Sequence, residues 1–323
     1  MAIDAQTVQT KRVSLWRVRL SLWRVRFKLA LKSLRTNWAL FAENPVGLIG
    51  LGMILFFGLF ALAHPILMHT VWDSRVYDPT MGYDMEIVSH PSPPSARHLL
   101  GTDPMGRDVL SQLMYSTRYE FVLGLLSAIV TVLIATTIGA VSAYYGGIVD
   151  TLLMRLVDLV IMVPFIPILI VMSSLMEVGM VQLAFIIGIL SGFGGTAIVV
   201  KSQALTVKVK PFIEAARIAG GGDAHIIMKH MIPNLMPIAL LYMMFVVTGA
   251  IFSEAVLSFF GLTTIEMSWG LMINVTQTQG YLMNFNTWYL LIPASLAITM
   301  LCAAFYLVGR AMDEIVNPRL RRR

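Results

Sequence analysis

Charged residues are scarce in this chain. Of its 323 residues, 13% are charged and 57% are hydrophobic, and the mean hydropathy is +0.75. Soluble domains contain about 25% charged and about 45–50% apolar residues. The shortage of charge therefore excludes an ordinary soluble domain and predicts an integral membrane protein.

Cysteine is almost absent. The one cysteine, Cys302, lies in an apolar run, so a disulfide framework within the chain is excluded. Its thiol is interpreted as a small apolar side chain. No cleavable signal peptide is expected, because about 45 residues precede the first long apolar run.

Motifs for nucleotide and metal binding are also missing. There is no G-x-x-x-x-G-K-[ST] phosphate loop and no H-E-x-x-H pair, so the chain is predicted to have no enzymatic activity and to bind no cofactor or metal. The run GFGGTA at 192–197 matches a dinucleotide fingerprint in form only. It lies within an apolar segment, and we interpret its small residues as a helix-packing surface.

Six apolar runs are long enough to cross a bilayer, which takes about 20 residues. Irregular backbone is not tolerated facing lipid, so an all-α membrane protein is expected. The runs are 46–69, 121–145, 152–175, 178–200, 236–260 and 287–309.

Positive charge is divided unequally between the two sides of these spans. All but four of the 24 lysines and arginines fall on the side of the two termini and of the loop 201–235. Because cytoplasmic loops are enriched in Lys and Arg, both termini and this loop are predicted to be cytoplasmic. The net charge of +6 is thus explained by orientation, and no nucleic-acid partner is expected.

The N-terminal arm contains a near-duplication, SLWRVRL then SLWRVRF, over residues 14–27. Leu, Trp and Arg recur every seven residues, which favours an amphipathic helix on the inner leaflet, with Trp16 and Trp23 near the lipid headgroups. A flexible basic arm is the alternative. The extracytoplasmic segment 70–118 is predicted to fold against the membrane face, because residues 103–118 are typical of a turn followed by a helix.

The stretch EAARIAGGGDAHIIMKHMIPN, residues 214–234, is polar and glycine-rich between two apolar spans. Its triple glycine, 220–222, should break a first short helix, and Asp223 is expected to cap a second one. Pro233 is expected either to end that second helix or to begin the next span. The first helix presents small residues that another protein could approach closely: Ala215, Ala216 and Ala219. The second carries Ile226, Ile227, His230 and Met231. An ordinary amphipathic connector is the alternative.

This stretch resembles the "EAA" loop of binding-protein-dependent ABC importer permeases, with Glu214, Ala215, Ala216, Gly220 and Pro233 in the motif positions. Further segments, in order along the chain, are similar to the C-type permease of the dipeptide, oligopeptide and nickel branch. They are LLGTDPMGRDVLSQLMYSTR (99–118), YYGGIVDTLLMRLVD (144–158), EAVLSFFGL (254–262), SWG (268–270) and NPRLR (317–321).

The resemblance implies a transport subunit that forms half of a translocation pathway. The implied partners are a sister permease in a heterodimer, two ATP-binding subunits that hold ATP and Mg, and an extracytoplasmic solute-binding protein. The organisation expected from the residues and the resemblance together is a cytoplasmic basic amphipathic arm (1–44), a first span (45–69), the extracytoplasmic segment (70–118), a permease core (119–309) and a cytoplasmic basic tail (310–323). Residues expected to couple to the ATPase are Glu214, Ala215, Ala216, Gly220, Asp223, His230 and Pro233; Glu214 is expected to fasten the first short helix.

Di- or oligopeptides are the expected solutes, with oligosaccharides or nickel as alternatives. Departures from the family pattern at TTIEM (263–267) and GRAMDE (309–314) leave the solute open. A secondary transporter is the alternative from another class, but the chain lacks convincing inverted repeats.

Ionisable residues within spans are hypotheses for function by default. Glu254 is the candidate for the solute path, with a hydrogen-bonded structural role as the alternative. Arg155 and Asp158, three residues apart, are expected to form a local ion pair.

Overall fold

A computed structural model describes residue 35 and residues 38–316, so the predicted amphipathic arm at 14–27 and the motif at 317–321 lie outside the described residues. The chain divides into two compact units, residues 1–45 and 46–323. The described part contains helices and one isolated β-bridge, between Thr102 and Asp108, but no strand. This confirms the all-α prediction.

The helices from Pro45 onward are numbered here in chain order. They are α1 (Pro45–Thr70), α2 (Ser74–Tyr77), α3 (Val109–Tyr145), α4 (Gly147–Met162), α5 (Phe165–Leu175), α6 (Met180–Gly192), α7 (Gly195–Lys208), α8 (Pro211–Ile218), α9 (Asp223–Ile226), α10 (Ile232–Phe259), α11 (Trp269–Thr278) and α12 (Trp288–Val316). A π-helical turn, Ile227–Met231, joins α9 to α10, and a 3₁₀ turn, Phe285–Thr287, precedes α12.

Six spans result if each of two bent helix pairs counts as one, as predicted. Within the described residues, four helical stretches are long and apolar enough to cross a membrane unaided, and the pairs α4–α5 and α6–α7 are bent by 80° and 46°. Pro164 stands at the N-cap of α5; it has no N–H group to continue α4, and it disfavours a helical conformation at Val163 before it. Phe193 and Gly194 occupy the other break, and Gly195 begins α7.

Helix α3 is longer than the predicted span 121–145. Its N-cap is Asp108, whose carboxylate accepts a hydrogen bond from the Ser111 N–H at 2.6 Å. Gly106, with φ +85°, forms the preceding turn. The predicted turn followed by a helix is confirmed, and α3 runs across the expected boundary between the segments 70–118 and 119–309.

Small residues let α6 pack closely on α3. A Cβ atom added to Gly188 would lie 2.6 Å from Val130 Cβ, and one added to Gly192 would lie 2.7 Å from Ile134 Cβ. The Thr131 hydroxyl donates to the Gly188 carbonyl at 3.1 Å. Gly192 begins the GFGGTA run, so the interpretation of that run as a helix-packing surface is confirmed at Gly192.

The segment 71–108, predicted to be extracytoplasmic, is organised by a buried histidine. His98 Nδ1 lies 2.8 Å from Asp108 Oδ2, and its Nε2 lies 3.1 Å from Asp84 Oδ2. The hydrogen bond to Asp108 raises the pKa of His98 above its usual value and outweighs the opposing effect of burial. Burial alone would raise the pKa of Asp84, but hydrogen bonds from the Glu86 N–H and His98, with the Arg97 charge, lower it.

Candidate functional site

The loop between α7 and α10, residues 209–231, forms a compact projection that we call the knob. Its first helix, α8, ends in a Schellman motif: the Gly221 N–H donates to the Ala216 carbonyl at 2.9 Å, and the Gly220 N–H donates to the Arg217 carbonyl at 3.0 Å. Gly220 has φ +82°, a conformation that glycine adopts without strain. The predicted break after the first short helix is therefore present.

Asp223 does not cap α9. The N-cap is Gly222, without a side-chain capping bond, and Asp223 is the first helical residue. Its carboxylate instead accepts a hydrogen bond from the Tyr144 hydroxyl at 2.7 Å, and the Arg217 guanidinium lies 5.7 Å from the centre of the Tyr144 ring. The capping prediction was wrong: Gly222 takes the N-cap position, and the Asp223 carboxylate is engaged by a tyrosine of α3.

The second half of the knob is not a separate helix. Residues Asp223–Phe259 form one helical stretch that contains the π turn, and Pro233 lies in the first turn of α10. A proline ring crowds the preceding turn of an α-helix and cannot donate to it. The wider π turn just before Pro233 accommodates the proline without a break. Of the two predicted roles of Pro233, the start of the span is the one observed.

Apolar side chains fix the knob to the membrane-spanning helices. Ile213, Ile226 and Met231 are buried in one cluster with Tyr144 and Ala204, which belong to α3 and α7. Other apolar side chains of the knob point outward: Val209, Phe212, Ile218 and Met228. The knob thus has a fixed inner face and an apolar outer face.

The remaining predicted coupling residues lie on the knob surface or at its edge. Glu214 and Ala215 are exposed, and Ala216 and His230 are partly buried. Glu214 forms no hydrogen bond or ion pair with another described residue, so the fastening expected of it is not seen. It stands in the first turn of α8, where a negative charge is favoured by the helix dipole. The His225 and His230 rings lie 5.5 Å apart between centroids.

A second polar connection lies beside the knob. Asp150, in the first turn of α4, forms an ion pair with Lys201 of α7 and accepts a hydrogen bond from the Ser142 hydroxyl of α3. Sequence reasoning counted Lys201 only as a positive loop charge. The predicted ion pair between Arg155 and Asp158 is also present, at 3.6 Å on an exposed helix face.

The two bent helix pairs and α10 surround an open cleft of about 530 Å³. Its lining contains no charged residue. The larger lining side chains include Phe165, Ile168, Ile187, Tyr242 and Phe245, while Thr196 and Ser191 contribute hydroxyl groups. The lining includes a residue from each bend, Val163 between α4 and α5 and Gly194 between α6 and α7.

Glu254 does not line this cleft. It is buried, with 2% of its surface exposed, and its Oε1 accepts a hydrogen bond from Ser258 at 2.5 Å. It faces a small internal void together with Glu120 of α3. Sequence reasoning missed Glu120 because the predicted span began at Phe121. Asp108 is a signal for a helix N-terminus, and a helix that starts there and continues into the apolar run would have included Glu120.

Comparison with known proteins decides the family. Residues 135–322 match the model of the binding-protein-dependent transport system inner membrane component. The chain belongs to this family. It is 29% identical over 296 residues to the dipeptide transport system permease protein DppC of Bacillus subtilis, covering 91% of this chain and 88% of that protein. It is 34% identical over 227 residues to the oligopeptide transport system permease protein OppC of Haemophilus influenzae, covering 69% and 71%.

A third relative matches almost the whole chain. The oligopeptide permease protein OppC of Bacillus subtilis is 28% identical over 322 residues, covering 99% of this chain and 94% of that protein. The chain is therefore a multi-pass permease subunit of a binding-protein-dependent ABC importer, with ATPase and solute-binding partners and no enzymatic family of its own. The cross-class alternative of a secondary transporter is set aside.

Proposed function

We propose that this permease, paired with a sister permease, forms half of the pathway for di- or oligopeptides. Two ATPase subunits bind ATP and Mg and drive transport by acting on the knob. An extracytoplasmic binding protein delivers the solute. Relatives named for dipeptide and oligopeptide transport support the choice of solute. The excess of positive charge at the termini and around the knob supports a cytoplasmic position for the N-terminus, the C-terminus and the knob.

One observation carries the proposal: the knob is rigidly held on one face and apolar on the other. Its inner face is buried against α3 and α7, while Ile218 and Val209 are 82% and 80% exposed. Exposed apolar side chains on a rigid support are typical of a protein-docking surface. A partner that moved this surface would also move the inner ends of α3 and α10.

The cleft suits peptides of varied sequence. A lining without fixed charge does not favour one charged side chain over another, and hydroxyl groups of Thr196 and Tyr242 can bond to peptide groups. We propose that the cleft is this subunit's share of the solute path. The same lining lacks the His and carboxylate ligands that a nickel ion prefers.

Replacing Gly220 tests the proposal. The change Gly220→Val forces a β-branched residue to φ +82°, which costs about 1–3 kcal/mol or distorts the turn. We expect reduced co-purification of the ATPase subunits, or ATP hydrolysis without uptake. The matched change is Gly222→Val, at φ −68° with open space around the added atoms, and it should retain more uptake. Uptake at the wild-type level by Gly220→Val would contradict the proposal.

A further inference from the structure

Two glutamates from different helices meet inside the membrane-spanning core. Glu120 of α3 and Glu254 of α10 have 1% and 2% of their surfaces exposed. Both border one small void, which Leu123, Met180 and Ile265 close with apolar surface. The proposed transport mechanism uses neither carboxyl group.

The hydrogen-bond partners of this pair are incomplete. Glu254 Oε1 accepts from the Ser258 hydroxyl, which lies 2.7 Å from the Thr263 hydroxyl. Glu254 Oε2 and both carboxyl oxygens of Glu120 are buried without a donor from the described residues. Both side chains border the same void. Burying a polar atom without a partner is costly, so a missing donor is indicated.

No described cation compensates the two carboxyl groups. The Arg118 guanidinium lies over the Tyr115 and Tyr119 rings, at 5.2 Å and 5.7 Å from their centres. Neighbouring elements bring other titratable or polar groups near the pair: Tyr119 from α3, Glu266 and Ser268 from the segment before α11, and Cys302 from α12. Helix α6 contributes only Met180. None of these carries a positive charge.

We propose that Glu120 and Glu254 form a proton-binding site, in which one proton is shared between the two carboxyl groups. Ionised carboxylates only accept hydrogen bonds, so a bond between two of them needs one proton. The proton comes from water, and the pair then carries one negative charge instead of two. This satisfies one oxygen of each carboxyl group and removes the repulsion of two adjacent charges.

The shared proton also links two helices. α3 and α10 approach closely next to the site, where a Cβ atom added to Gly124 would lie 2.7 Å from Val247 Cγ1. Loss of the proton would leave two negative charges in a void that cannot widen without separating these helices. Stability of the permease should therefore fall as the proton dissociates.

Infrared spectroscopy of the purified permease complex tests the site. We expect a carbonyl band of one protonated carboxyl group in the wild-type protein. Either Glu120→Gln or Glu254→Gln should abolish that band, because the new amide donates to the remaining carboxylate and replaces the proton. Glu177→Gln, at an exposed position, is the control and should leave the band unchanged.

Every other outcome overturns the inference. Absence of the band in the wild-type protein means that no proton is held, and a band that persists in either single variant means that the carboxyl groups are protonated independently. Thermal unfolding of the wild-type protein gives a second measurement that needs no variant. Glutamates are ionised in the unfolded chain at neutral pH, so folding takes up a proton and the unfolding temperature should fall as pH rises. An unfolding temperature independent of pH would contradict the site.

Discussion

The hydrogen bond between Tyr144 and Asp223 joins the knob to the inner end of α3, and its removal gives the sharpest test of force transmission. Tyr144→Phe deletes only the hydroxyl group and keeps the ring beneath Arg217. A hydrogen bond to a charged group contributes about 1.5–3 kcal/mol. Asp223 is exposed, so water competes for it and we expect about 1 kcal/mol. That corresponds to about a fivefold change in the equilibrium ratio of attached to detached knob.

The assay is the ratio of peptide uptake to ATP hydrolysed in vesicles that contain the whole transporter. We expect Tyr144→Phe to lower this ratio several-fold while the ATPase subunits remain bound. Asp223→Ala should have the same effect, and the double variant should be no worse than either single one, as for two partners of one bond. Asp223→Asn keeps an acceptor oxygen and should restore most of the ratio.

Tyr145→Phe provides the matched control, because Tyr145 is exposed beside Tyr144. An unchanged ratio in Tyr144→Phe would refute transmission through this bond while leaving ATPase docking at the knob intact. Additive effects of Tyr144→Phe and Asp223→Ala would show that the two residues act separately.

Two further predictions concern stability. His98→Gln leaves two buried carboxylates without their shared cation, which should destabilise the segment 71–108 by about 3–5 kcal/mol, measured by limited proteolysis. Because the pKa of His98 is raised in the folded state, protection of the wild-type segment from proteolysis should be complete below about pH 6.5 and decline as pH rises through the raised pKa. Protection unchanged by the substitution or by pH would contradict the role of His98. Gly188→Ala places a Cβ atom 2.6 Å from Val130 and should cost about 1–3 kcal/mol in thermal unfolding, whereas Gly52→Ala meets open space and should cost nothing; equal effects would contradict the packing of α6 on α3.

The spans could be predicted from the sequence because the bilayer imposes both length and apolarity. The bends could not, since Pro164 and the glycines at 194 and 195 are compatible with either a kink or a straight helix in membranes. Tertiary packing decides between these outcomes. The cleft depends on the bends, and so it was invisible in the sequence.

The knob was predictable in outline, but its connections were not. Gly220 indicates a break by its conformational freedom alone. Asp223 has two possible donors, its own helix amides and the hydroxyl of a tyrosine distant in sequence, and only the fold brings Tyr144 within 2.7 Å. Glu120 was missed for a related reason: hydropathy marks where apolar residues begin, whereas the cap at Asp108 marks where the helix begins.

The central claim is that the outer face of the knob binds an ATPase subunit. A photo-crosslinking amino acid at Ile218, the most exposed apolar residue of the knob, tests it most directly in the assembled transporter. The same probe at Phe285, which is 94% exposed and on the predicted opposite side of the membrane, serves as the comparison. The account predicts that Ile218 crosslinks to an ATPase subunit and Phe285 does not. Crosslinking of Ile218 to the solute-binding protein, or of Phe285 to an ATPase subunit, would contradict it.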